Sequence, residues 1–520
     1  MRRTACSLAL LLFSITAFAS TAAAEVWVVP QDYPTLTEAI AGASDFDEIL
    51  VEPGDYFESI TLNKALTIRS TDGAEVTTLQ GDGSQPVIRV TGNPLSVTLE
   101  GLTITGGQGN YGGGVSVITW GSDASAFTLS KSVVIGNEAV SPGPGVRPAG
   151  GGVHVVGPGY VEISDTLIAF NDAGDGAGGG AYITPVSSNA ELHLSRNRFE
   201  GNNAQDAGGL YVKTTGPSSF FANDFVDNFA CYGGGLVLHC QPATAGASAC
   251  LPVTVEGSLF DSNAAGCGLG SDSAGGALSI TPVSLLFEVT ILRSTFWGNY
   301  ATEAGGAIAM NQAGGLSLAI DSSILHNNWA IYGQGSAAQV GSINGTPPLS
   351  FSVTYSTLYD LDWYGVVSPI QLTESTGSID DAPELVDPSN DDFSLERSSP
   401  CVDSGNPSAP LDPDGSIIDM GASAYALIDV FRRGDVNGDG SVNFGDVFPL
   451  LHALFVKGAP EVPCRDAADV DDSGSVNIGD VTFLLAYLTG GQALTIPAPG
   501  TLNPGADPTP DNLGCALYLP

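Results

Sequence analysis

Between residues 130 and 330 the chain repeats one phrase: an apolar residue, two others, Asn, any residue, then Ala, in most copies followed by a Gly pair or triplet opening a strand-like stretch. The asparagines are Asn137, Asn171, Asn202, Asn228, Asn263, Asn299 and Asn328, separated by 26 to 36 residues. A fixed phrase at unequal spacing predicts a constant structural coil with loops of varying length, which is a solenoid. Stretches such as Val153–Val156, Glu191–Leu194 and Leu316–Ile320 alternate apolar with polar or small residues, so the coils are built of strands. A helical solenoid needs longer amphipathic runs than these. Stacked asparagines are predicted to be buried and bonded from coil to coil, and the glycines to supply turns with positive φ.

The phrase resembles the FxxN and GGAI repeats of the polymorphic outer-membrane protein family, best at Phe296 to Asn299 and Gly305 to Ile308. No membrane β-barrel segment accompanies it, so the autotransporter part of that likeness does not carry over. Residues 49–70 resemble the first coils, and residues 396–407 and 412–422 the closing segment, of pectin-lyase-like proteins, with Thr35 to Ala43 as a short helix plugging the first coil. The resemblance implies an all-β fold over residues 25–425, a right-handed parallel β-helix of about 13 coils and about 60 Å.

Two later stretches carry oxygen ligands at every position of a twelve-residue calcium loop. In the first, Asp435, Asn437, Asp439, Ser441, Asn443 and Asp446 stand at positions 1, 3, 5, 7, 9 and 12, with Gly440 at the sharp turn. Asp469, Asp471, Ser473, Ser475, Asn477 and Asp480 repeat the pattern 34 residues on, with Gly474 at the turn. Position 12 is Asp instead of the bidentate Glu of an EF-hand, which predicts fewer direct oxygens and a weaker site. Each loop leads into an amphipathic helix: Val447, Leu450, Leu451, Leu454 and Phe455 after the first, Val481, Leu484, Leu485 and Leu488 after the second.

These loop-helix units resemble the type I dockerin family over residues 430–492. The resemblance implies a small α-helical module with two Ca2+ sites and a cohesin-like protein or cell-surface component as partner. It also implies a place among polysaccharide-degrading systems. The family's partner-reading pair at positions 10 and 11 is often Ser-Thr, whereas Phe444-Gly445 and Ile478-Gly479 stand here.

Residues 1–24 read as a secretory signal peptide, with Arg2 and Arg3 before an apolar core and Ala22 to Ala24 before Glu25, so the expected location is extracellular or at the cell surface. No later run has the length of a transmembrane helix. The net charge of −40 repels phosphate backbones and excludes nucleic acid as a partner. Charged residues are only 14% against 43% hydrophobic, so the acidity is not a sign of disorder, and 67 glycines favour tight turns between strands. In an oxidising compartment the expected disulfides are Cys231–Cys267, Cys240–Cys250 and Cys464–Cys515, with Cys401 left free. A Pro-rich tail is read from residue 493 to 520.

Asp165, Asp261 and Asp321 recur shortly before repeated asparagines and are expected on one wall as exposed, solvating carboxylates. His154, His193, His239 and His326 fall at solenoid spacing without a fixed Ser or Asp companion, so no catalytic triad is read. The expected function is therefore binding of extracellular polysaccharide or a protein partner without catalysis. The alternative is a polysaccharide lyase or glycoside hydrolase working through wall carboxylates.

Overall fold

A computed structural model of the chain describes residues 24–500, apart from 93–94, 120–123, 186–189, 215, 241–248, 268–272, 283–285, 312–314, 332–338, 344–347, 358–374, 397, 413–415, 423–430, 439, 457–461, 463 and 491–494. The signal-peptide reading of residues 1–23, Asp439, Cys515 and the tail beyond residue 500 fall outside these described residues.

Three long parallel sheets wrap one core. Sheet A has twelve strands, from Val26–Val29 to Ser350–Thr354; sheet B has ten, from Gly54–Tyr56 to Ile324–His326; sheet C has ten, from Ile60–Leu62 to Val340–Ile343. Successive coils pair in register, as Phe199 with Phe225, Phe225 with Phe260 and Phe260 with Phe296. This is a parallel β-helix, about 50 Å long at one strand spacing per coil. Strand pairing leaves only the ends of the stack open, and helix α1, Leu36–Gly42, covers the first with buried Leu36, Ala39 and Ile40. Thr35 caps it by accepting a hydrogen bond from the Glu38 amide.

The apolar residue of each phrase is the middle residue of a three-residue strand in sheet B and points inward. Phe199, Phe225, Phe260 and Phe296 stack there with ring centroids 5.0, 4.8 and 4.5 Å apart. Three residues on, the asparagines form a ladder: the Asn171, Asn202, Asn228, Asn263 and Asn299 Nδ2 each donate to the Oδ1 of the next, at 2.8 to 3.1 Å. Asn137 joins at one end, and at the other Asn328 donates to Gln339 Oε1 at 2.7 Å. All seven are buried.

A second ladder, of mixed residues, lines the corner between sheets A and B. Ser132, Thr166, Asn197, Asn223, Ser258, Ser294, Ser323 and Ser356 each accept from the backbone amide one coil earlier. The glycine clusters serve two purposes, only one of them anticipated. The first Gly of a triplet, such as Gly178, has a positive φ of 69°. The second does not: a Cβ on Gly179 would strike the backbone of Asn203 and Gly208 on the next coil, so close stacking is what excludes a side chain.

The expected bridges Cys231–Cys267 and Cys240–Cys250 are formed. Cys464 is disulfide-bonded with a partner outside the described residues, and Cys401 is a buried free thiol that burial pushes up to about 12.

The closing segment runs back along the rod beyond the last coil. Its hairpin, Leu385–Asp387 and Asp392–Leu395, crosses the outer face of sheet B: Asp391 meets Arg198 at 3.2 Å, and the Phe393 ring meets Trp297 edge-on at 6.3 Å. Residues further on hold the corner between sheets A and B, where Asn406 donates to Asp321 at 3.0 Å and the Gly421 amide to the Ser322 carbonyl at 2.9 Å.

Candidate functional site

The module after residue 430 is built on two loops that wrap their own carboxylates. In the second, Asp469 Oδ1 accepts from the Ser473 amide at 3.0 Å and its Oδ2 from the Gly474 amide at 2.7 Å. Asp480 accepts from the amides of Asp471 and Asn477 at 3.2 and 2.8 Å, and with Asn477 forms the capping box of the helix Ile478–Thr489. In the first loop Asp435 takes the Gly440 amide at 2.9 Å, and Asp446 takes those of Asn437 and Asn443 at 3.1 and 2.8 Å. Asn443 and Asn477 each bond the carbonyl at position 7, of Ser441 and Ser475, at 3.0 and 2.9 Å. The same glycine-centred turn thus closes twice.

Carboxylate oxygens of Asp469, Asp471 and Asp480 lie within 4.8 Å of one another. Asp471 Oδ1 is buried without a hydrogen-bond partner. Burial, then the charges of Asp471 and Asp469, push Asp480 up to about 6; burial also raises Asp446. Converging, desolvated, all-oxygen groups fit a hard divalent cation such as Ca2+. With Ca2+ bound, Asp469, Asp471 and Asp480 in one loop and Asp435 and Asp446 in the other would hold it, and the cation would neutralise their repulsion.

Helices Val447–Phe455 and Ile478–Thr489 pack on each other through Val447, Leu450, Val481 and Leu484. Phe455 is exposed, against the expected stripe, and a one-turn helix, Arg465–Ala468, precedes the second loop where none was expected. The unforeseen centre is Arg433, fully buried. It donates to the carbonyls of Asp469 at 2.7 Å and Ala498 at 3.0 Å, pairs with Asp472 at 3.0 Å, and lies over the Phe431 ring. Ile496 joins the same apolar core, so residues read as tail pack on the module. Phe444 and Ile478, at the equivalent position of the two loops, are 53% and 52% exposed.

On the β-helix the three singled-out carboxylates do not share a wall. Asp165 and Asp321 lie at the corner between sheets A and B, five coils apart, about 24 Å at strand spacing. Asp165 adopts a φ of 50° and is clamped by Arg196 through bonds of 2.6 and 2.8 Å. Asp321 accepts from Thr354 and Asn406. Asp261 closes its sheet-B strand and is 6% exposed, against the expectation of a solvating surface, because the outer face of sheet B is where the hairpin folds back.

Asp261 and Asp224, from adjacent strands, are both pushed up to about 6, chiefly by burial and with a contribution from Asp391. Folded-state values above the ordinary 3.8 mean the fold favours the protonated acids. Their contribution is fully present below about 3.8 and is lost as pH rises through about 6. The melting temperature of the β-helix is therefore expected to fall between about pH 4 and pH 6. Calorimetry should show Asp224→Asn and Asp261→Asn flattening that slope, and an unchanged slope refutes the burial argument.

His193 has neighbours that the sequence did not reveal. Its Nδ1 lies 2.9 Å from Ser219 Oγ and its Nε2 3.5 Å from Glu191. The trio has the order of a hydrolytic triad, but it stands on the exposed face of sheet A, where backbone amides are engaged in strand pairing and offer no oxyanion site.

Sheet C carries a groove of about 480 Å³. Along it the rings of Tyr111, His154, Tyr182 and Tyr211 follow one another at 5.1, 5.4 and 5.2 Å. Sequence reading missed this row. Its signal was a fixed offset: His154, Tyr182 and Tyr211 each stand two residues after a Gly cluster.

Strand topology and paired loops together define the class: a parallel β-helix protein bearing a calcium-loop module. More particularly, residues 433–489 match the dockerin type I domain, and domains of that type bind calcium. No curated protein matches the chain. Among solved structures it is similar to pectate lyase Pel9A, at 13% identity over 76% of this chain and 96% of that one, TM-score 0.39. It is also similar to pectin methylesterase PemA from Erwinia chrysanthemi, at 10% identity over 68% and 92%, TM-score 0.27.

Proposed function

We propose that this chain is an exported, non-catalytic binder of extracellular polysaccharide, with its dockerin module as the point of attachment. Two calcium ions hold that module through the loops at residues 435–446 and 469–480. Its partner is a cohesin-like protein or other cell-surface component, met through a surface on which Phe444-Gly445 and Ile478-Gly479 stand where the family often has Ser-Thr. The observation that carries the binding reading is the groove on sheet C, an extended recess with aromatic and polar lining and no acid pair flanking an open site among its described residues. Against insoluble polysaccharides in calcium buffer, the full chain should co-sediment while releasing neither reducing ends nor unsaturated sugars.

One feature favours the enzymatic alternative: burial pushes the neighbouring Asp224 and Asp261 carboxyls up to about 6, toward the range a general acid needs. Product release abolished by Asp261→Asn would establish that alternative and overturn the non-catalytic one.

A further inference from the structure

Three buried polar atoms beside the sheet-C groove lack hydrogen-bond partners: His154 Nδ1 and Thr184 Oγ1, which line it, and Thr119 Oγ1, at the end of the neighbouring strand that pairs with the His154 strand. His154 is 5% exposed. A buried donor or acceptor left unmade is destabilising, and native proteins leave few of them without a role. All three belong to groups that can donate or accept, which is the complement of a hydroxyl.

The groove's ionic groups are largely spent on partners within the protein. Burial pulls His154 down to about 3, so its imidazole is neutral at any physiological pH. Arg147 is consumed within the protein: it bonds Asp206 at 2.9 Å, Gln205 at 3.2 Å, and the carbonyls of Asp175 and Gly176 at 3.0 and 3.3 Å. Asp206 is the partner that neutralises Arg147, which leaves Lys213 as the remaining charge of the lining, held over the Tyr182 ring 5.6 Å from its centre. The chain as a whole, at −40, repels polyanions. The ring row runs from coil to coil, so a ligand that follows it lies along the rod axis and meets a similar edge at every step.

We propose that the sheet-C groove binds an uncharged, hydroxyl-rich glycan chain lying along the rod axis, with His154 and Thr184 bonding its hydroxyls. This rests on the polysaccharide-binding reading above and adds the site and the ligand class.

Isothermal titration of the full protein in calcium, with cellohexaose and mannohexaose as neutral probes and hexagalacturonate as the acidic one, tests it. A neutral hexamer should bind, and Thr184→Val and His154→Phe should each weaken it by at least about tenfold, the loss of one buried hydrogen bond. Both variants should melt no lower than the parent, because each removes a buried polar atom that has no partner without ligand. A purely structural role would lower the melting temperature instead, and that result overturns the proposal. So does tighter binding of hexagalacturonate than of either neutral probe. Neutral-glycan binding that survives both variants overturns the groove assignment and leaves polysaccharide binding intact. Absence of binding to all three overturns both.

Discussion

Adding a calcium chelator to the intact protein is expected to abolish the dockerin module's melting transition and leave that of the β-helix unchanged. Asp435, Asp446, Asp469 and Asp480 are fully buried within two short loops, and Asp471 offers a buried oxygen with no partner. Burying this many carboxylates together is unfavourable unless a cation neutralises them. Binding and folding are then one equilibrium. At a hundredfold excess over the dissociation constant each site contributes about 2.7 kcal/mol, so two contribute about 5 kcal/mol, comparable to the whole stability of a small domain. The helices Val447–Phe455 and Ile478–Thr489 should be lost from the far-ultraviolet circular dichroism signal on chelation and return with calcium. Identical melting curves with and without chelator would refute the linkage.

The second large effect belongs to the asparagine ladder. Asn263 Oδ1 accepts from both the amide and the side chain of Asn228, at 3.2 and 2.9 Å, and its Nδ2 donates to the Phe225 carbonyl at 2.7 Å and to Asn299 at 3.0 Å. Asn263→Leu removes all four bonds and strands two backbone groups, the Asn228 amide and the Phe225 carbonyl. At about 1–3 kcal/mol for each of the two buried groups left unpaired, the β-helix should lose about 2–6 kcal/mol in denaturant unfolding. Asn203→Leu, on a half-buried residue outside the ladder, serves as the control and should change little. Equal effects at the two positions would show that the ladder is not a main source of stability.

Legibility in the sequence followed the range of the interactions. The coil, the inward Phe199 to Phe296 stack and the Asn ladder were readable because one residue type recurs in one local phrase. The calcium loops were readable because their ligands lie within twelve residues. The second ladder was hidden because Ser132, Thr166, Asn197 and Ser258 share a hydrogen-bonding role and not a name. Asp261 was misjudged because its burial depends on a segment far along the chain, the hairpin that brings Asp391 to Arg198. Arg433 was unreadable for the same reason: what makes it central is the Ala498 carbonyl and the start of the second loop.

The ladder has a consequence for how such a rod can change length. Because Asn171 meets Asn202 in the same way that Asn202 meets Asn228, excising residues 202–227 would set Asn228 directly upon Asn171 and leave every remaining rung matched. Excisions that cut into a coil's strands, as opposed to its loops of variable length, would break the register of the sheet they enter. Growth and loss are therefore quantised in whole coils, about 4.8 Å at a time. The excised coil would take Tyr211 with it, so the groove on sheet C shortens by one ring whenever the rod does, and the size of ligand it accommodates becomes a count of coils.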